Sequence, residues 1–170
     1  IEGDVEHWWH DENDRGIRTK FSDDLLWLPY AVIKYINFTG DKTILDVKTP
    51  YLQGEELKEN EKEKYDKYVQ SDVEETIFEH CIRAIEKACK FGEHGLPKIG
   101  IGDWNDGFSN IGPEGKGESV WLGFFLYIIL VKFAEYAKSY ENDDKIDELK
   151  ISSKYLGIAE KLKENLNNNA

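Results

Sequence analysis

The sequence predicts an all-α fold, and three observations carry that expectation. Apolar residues recur at helical spacing in several stretches. Serines lead and glycines close these stretches, where helices start and stop. No run of strictly alternating apolar and polar residues marks a strand ladder.

The elements follow in order. The first twenty residues show no period and hold the turn formers Asp14 and Gly16, which predicts a loop. That loop carries an unusual set of side chains: His7, Trp8, Trp9, His10, Arg15 and Arg18. Ser22 then offers a helix N-cap, with Asp23 and Asp24 where the helix dipole favours negative charge. Leu25, Leu28, Val32, Tyr35 and Ile36 form the expected buried stripe, Pro29 kinks it or marks its first turn, and Gly40 ends it. Residues 41–46 add a helical turn. The charged stretch 55–70 reads as an exposed loop. Ser71-Asp72-Val73-Glu74 has the form of a capping box, opening a helix with Ile77, Cys81, Ile85 and Ala88 on one face and Gly92 at its close. The Gly-rich segment 92–117 cannot be one regular element, although residues 96–102 suit a short extended piece. Ser119 caps a run from Val120 to Tyr140 that is apolar nearly all round, as in a helix buried on several sides. After a charged break at 141–148, a helical tail over 144–166 carries Ile151, Tyr155, Ile158, Leu162 and Leu166, and the last asparagines fray.

Composition narrows the function. The chain has 170 residues, the size of one domain, and 40% hydrophobic residues, enough for a core. With 34 acidic against 22 basic side chains, the charge of −12 argues against nucleic acid, whose phosphates need Lys and Arg. The dense apolar stretch Trp121 to Phe133 is read as too short to cross a bilayer. No basic segment followed by an apolar one opens the chain, so no signal peptide is expected, and the abrupt start suggests a piece of something longer. Cys81 and Cys89, eight apart on a helix, would lie roughly 12 Å apart at 1.5 Å per residue, beyond disulfide reach. Reduced thiols and a cytoplasmic setting follow. Aromatic residues make up 13%. Rings beside carboxylates suit a sugar cleft, where rings face pyranose C–H groups and carboxylates accept hydroxyl hydrogens; the same rings also suit a plain core.

Three polar clusters stand in loops between buried helices. Gly102-Asp103-Trp104-Asn105-Asp106-Gly107 sets two carboxylates and an indole between glycines. A carboxyl held against an apolar ring keeps its proton near neutral pH, as a general acid must. A calcium loop needs Gly at its sixth position, and Gly107 is fifth from Asp103, so that register fails; an Asx-rich turn remains open. The second cluster, Arg18 to Asp24, holds one of only three arginines in the chain, with Arg15 close by. Arginine offers a planar fork for a carboxylate, a phosphate or paired sugar hydroxyls; the alternative is an Arg18 pairing with Asp23 or Asp24. The third, Lys116 to Trp121, contains Glu118, either a first-turn charge or a second acid in a cleft. Two histidines three apart, His7 and His10, are weak grounds for a metal, and none is expected. His80 and His94 read as local hydrogen-bonding groups.

Seven strings then resemble one family. They are His7-Trp8-Trp9-His10, Arg15 to Thr19, Ser22 to Ala31, Glu79 to Ile85, His94-Gly95-Leu96-Pro97, Gly102 to Gly107 and Gly115 to Trp121. In this order, over about residues 3–135, they resemble the catalytic domain of the cellobiose phosphorylase family of inverting glycoside phosphorylases. The first two strings are most similar to the phosphorylase-like region of cyclic β-1,2-glucan synthases. The resemblance implies part of an (α/α)6 barrel, with the whole chain 1–170 a fragment of one catalytic domain. It implies Asp106 as the general acid, Trp104 in contact with the sugar, and Arg18 with Asp24 holding the hydroxyls of the transferred glucose. Asp23, Arg15 and Glu118 lie in matching motifs with less definite roles. The implied substrates are a β-linked gluco-oligosaccharide and inorganic phosphate as co-substrate, with no other cofactor. The family's phosphate site draws on His and Thr residues beyond Glu118, and no His follows Glu118 here. Only four or five of twelve barrel helices are expected, so exposed faces and self-association follow. The alternatives are an inverting hydrolase with Glu118 or Asp24 as base, or an inert helical fragment.

Overall fold

The computed structural model describes residues 2–112, 114–140 and 149–170; the charged break at 141–148 lies outside the described residues. So do the side chains of Asp106, Ser139, Tyr140, Leu149 and Lys150. Among the described residues, four α-helices form the body: α1 (Asp24–Thr39), α2 (Ile77–Ala88), α3 (Val120–Tyr140) and α4 (Leu149–Asn169). The expectation of an all-α chain is corrected by five strands. β1 (Trp8–His10), β2 (Arg15–Thr19) and β4 (Glu63–Lys67) make a three-stranded antiparallel sheet in the order β1-β2-β4. β3 (Lys48–Gln53) and β5 (Val69–Thr76) make a two-stranded ribbon with a register shift between Pro50 and Leu52.

The helices hold the core. Leu122, Leu126, Ile129, Leu130, Phe133 and Ala137 of α3 meet Tyr155, Ala159 and Leu162 of α4, Phe78, Cys81 and Ile85 of α2, and Leu26, Ile33 and Ile36 of α1. Phe78 stacks on Phe133 with centroids 6.3 Å apart. Gly123 permits the close approach of α4, since a Cβ there would lie 2.9 Å from Leu166. The buried stripe of α1 is turned from the expected one: Leu26, Pro29, Val32, Ile33 and Ile36 face inward, while Tyr35 is exposed. A run apolar on most sides does not reveal which side its neighbours will cover.

Helix boundaries follow local chemistry. Gly40 ends α1 in the left-handed region at φ +74°, donating its N–H to Ile36 O. Ser119 caps α3, its hydroxyl accepting from Leu122 N at 3.0 Å. The capping box of α2 is not Ser71 with Glu74 but Thr76 with Glu79, with donors satisfied in both directions. Ser71 and Glu74 belong to β5 instead. α4 runs through Asn169, beyond the expected 144–166. The α3 span Val120–Lys138 is long and apolar enough to cross a membrane, which corrects the shorter reading; 56% of it is buried against the rest of the chain.

Candidate active site

β2 is the foundation of the site. Side chains alternate across a strand, so Arg15 and Arg18, three residues apart, stand on opposite faces. Arg15 lies over the Tyr65 ring at 5.5 Å, away from Arg18. Arg18 points into a cavity of about 550 Å³ that Thr19, Asp24, Lys87 and Lys98 also line. It donates to Glu2 at 2.6 Å and to Asp4, and reaches Glu55 O at 3.4 Å. The sequence alternative of a pairing with Asp23 or Asp24 is replaced by these partners. Asp24, buried at the first turn of α1, accepts from His7 Nδ1 at 2.7 Å and from the Thr19 hydroxyl. The helix dipole favours its negative charge there.

The Gly102–Gly107 loop is bonded to the same segment. Ser22 does not cap α1; its hydroxyl donates to Ile99 O at 3.0 Å and Gly102 O at 2.9 Å, and its N–H donates to Gly102 O at 3.0 Å. Phe21 pairs with Gly100, and its ring lies against Gly102, where any Cβ would meet it. Asp103 is buried and accepts from Ser119 Oγ at 2.7 Å and Asn105 N at 3.2 Å, so it ties the loop to the start of α3. Asn105 accepts from Gly107 N at 3.0 Å and opens a short 3-10 turn, Asp106–Phe108. The role expected of Asp106 concerns its side chain, which lies outside the described residues; its backbone stands at the head of this turn. Trp104 is 58% exposed and leans on Trp121 at 5.9 Å. From there rings continue through Phe125 at 5.3 Å to Trp27 at 4.9 Å.

Two further carboxylates are occupied. Glu118 accepts from His94 N at 3.1 Å, Leu96 N at 3.1 Å and His94 Nδ1 at 2.7 Å. Gly92 lies directly beneath its side chain, where a Cβ would collide. Glu118 therefore clamps the 92–96 turn. Asp23 is buried and accepts from Trp27 Nε1 at 2.8 Å, while its Oδ1 has no hydrogen-bond partner among the described residues. Burial raises its pKa against the pull of the Trp27 N–H.

Several contributors escaped the sequence reading. Glu6 is pushed up to about 7 by burial, against the lowering effect of Arg18, and the Tyr68 hydroxyl lies alongside without completing a hydrogen bond to it. Both line a second cavity of about 640 Å³, which also reaches Arg18. Asp4 and Glu2 anchor Arg18, and Thr19 and His7 hold Asp24. These partners are 5 to 17 residues apart along the chain, a separation that no local motif encodes. His7 and His10 do not converge: His10 bonds the Tyr65 hydroxyl at 2.9 Å. The segment thus brings together Arg18, Asp24 and the base of the Gly102–Gly107 loop, and leaves Arg15 and Glu118 elsewhere.

Over residues 1–170 the chain matches the glycosyl hydrolase 94 superfamily, catalytic domain. The chain belongs to this family. Among its relatives, the cyclic beta-(1,2)-glucan synthase NdvB of Rhizobium meliloti (strain 1021) is 42% identical over 147 residues, covering 86% of this chain and 5% of that protein. The solabiose phosphorylase of Paenibacillus borealis is 31% identical over 150 residues, covering 88% of this chain and 16% of the relative. The cellobionic acid phosphorylase of Neurospora crassa is 34% identical over 102 residues, covering 59% and 11%. The chain thus spans a small part of the length of each of these proteins.

Proposed function

We propose that this chain supplies the glucose-holding cavity and the general acid of an inverting phosphorylase that acts on β-linked gluco-oligosaccharides. Arg18 and Asp24 hold hydroxyls of the glucose being transferred, and Trp104 gives its ring to the sugar. Asp106 protonates the glycosidic oxygen as that bond breaks. Phosphate attacks the anomeric carbon from the opposite face, and the new C–O bond yields a sugar 1-phosphate of inverted configuration. α1 to α4 are helices of an (α/α)6 barrel, and the exposed stripe Val120, Phe124 and Ile128 of α3 is the side a further helix covers. The unpaired thiols Cys81 and Cys89 fit a cytoplasmic setting.

The observation that carries this reading is the bonding of the Asp-Trp-Asn-Asp loop to the very segment that sends Arg18 and Asp24 into one cavity. It also weighs against the hydrolase. An inverting hydrolase needs a free carboxylate to activate water, whereas phosphate arrives already anionic. Glu118 is committed to the His94 turn. In the complete catalytic domain, Asp106→Asn is expected to lower glucose 1-phosphate release by ~10²–10⁴, the usual worth of a general acid. A phosphate-dependent assay on β-1,2- and β-1,4-linked oligosaccharides checks this. Normal turnover in the variant, or hydrolysis independent of phosphate, would overturn the reading.

A further inference from the structure

We infer that His7 is a positioning residue that sets the Asp24 carboxylate for sugar binding; this rests on the role proposed above for Asp24. The geometry is specific. Asp24 Oδ1 meets His7 Nδ1 at 2.7 Å, and Oδ2 accepts from the Thr19 hydroxyl. A bond to each oxygen fixes the carboxylate plane. Asp24 lines the Arg18 cavity, whereas His7 does not. His7 therefore acts from behind.

The histidine is itself held. Its backbone N–H donates to Ile17 O at 2.8 Å, extending the edge of β1 onto β2. Its ring meets Phe21 at 5.5 Å, and Phe21 covers Gly102 at the base of the acid loop. Upstream, Asp4 joins Arg18 to Lys87 of α2, and Gly3, at φ +79°, presses on the Arg83 backbone of α2 so closely that a Cβ would collide. The stretch 2–7 is thus strapped to α2 at one end and delivers its imidazole to Asp24 at the other. Rigid supporting bonds of this kind keep a binding group in its productive orientation.

The test separates hydrogen bonding from packing. His7→Phe keeps a ring against Phe21 but loses the nitrogen; His7→Asn places an amide nitrogen near the site of Nδ1. In the complete catalytic domain, His7→Phe is expected to lower kcat/KM for phosphorolysis by about tenfold to a hundredfold, the worth of one hydrogen bond to a charged group. His7→Asn is expected to stay within about threefold of the parent and to melt as the parent does, while His7→Phe melts below it because buried Asp24 loses a donor. In an Asp24→Asn background, His7→Phe should add almost nothing, because coupled residues are not additive. Parent-like kinetics of His7→Phe, failure of Asn to rescue, or effects that multiply with Asp24→Asn would overturn the inference alone. Parent-like kinetics of Asp24→Asn would overturn the sugar-binding reading beneath it as well.

Discussion

Asp103 and Glu118 look alike in the sequence to any acid in a cleft, yet each is spent on holding a loop. Asp103 takes the Ser119 hydroxyl, whose oxygen in turn caps α3. Replacing Asp103 by Ala strips a buried partner from Ser119 and from Asn105, and is expected to lower unfolding free energy by about 1–3 kcal/mol in a urea titration. Gly92→Ala acts on the same architecture from the other side. The added methyl meets Glu118, so the His94–Leu96 turn must shift, and the variant should melt below the parent in calorimetry. The strings Asp-Trp-Asn-Asp and Ser-Asp-Asp stand out in the sequence as candidates because short polar clusters between glycines or at a helix start are unusual in a core. That Asp4 pairs with Arg18 and that His7 and Thr19 hold Asp24 was not legible, because only the folded chain brings them together.

At the level of elements, the helices were legible and the strands were not. Helix stripes such as Cys81, Ile85 and Ala88 repeat because one side meets the core. β4 and β5 carry charged residues on both faces, as thin ribbons with little apolar cover do, so alternation never appears. That mistake displaced a helix start by several residues. Thr76→Ala is expected to cost ~0.5–2 kcal/mol of stability through its lost cap, whereas Ser71→Ala should stay within about 0.5 kcal/mol. Equal losses in chemical denaturation would contradict the assignment. The Glu75–Arg83 pair, with Tyr51 bonded to the same carboxylate, fastens the β3–β5 ribbon to α2. Arg83 holds the Glu75 carboxyl down to about 2, so its stabilising contribution persists above the ordinary carboxylate range and fades only as pH falls towards 2.

Across the whole molecule, burial works in the opposite direction at Glu6. Its carboxyl stays protonated up to about 7 in the folded chain but ionises near 4.5 when unfolded. Between those values the unfolded state has released a proton that the folded state keeps, so this contribution is full below 4.5 and is lost as pH rises to about 7. Glu6→Gln removes the titration. The melting temperature of the variant should therefore gain on the parent steadily across that window; a constant difference would contradict the raised value. The same scale governs association. Phe124 and Ile128 stand 55% and 50% exposed on α3, and Trp27 and Trp104 add open rings. Exposed apolar surface of this kind marks a contact face. Sedimentation of this chain is expected to show a concentration-dependent mass that Phe124→Glu with Ile128→Glu reduces.

By itself the sequence determined the helices that carry a one-sided apolar stripe, the Gly40 stop, the Ser119 cap and the strings that mark the family. These are written in residues that touch neighbours in sequence or one turn away, where spacing alone sets the geometry. Only the tertiary structure decided that Arg15 and Arg18 part company across β2, that Glu118 closes a turn, and that His7, just before β1, and Thr19, at the end of β2, hold Asp24. Those outcomes depend on which surfaces meet, and the backbone pairing that brings them together leaves no periodic trace in so charged a chain.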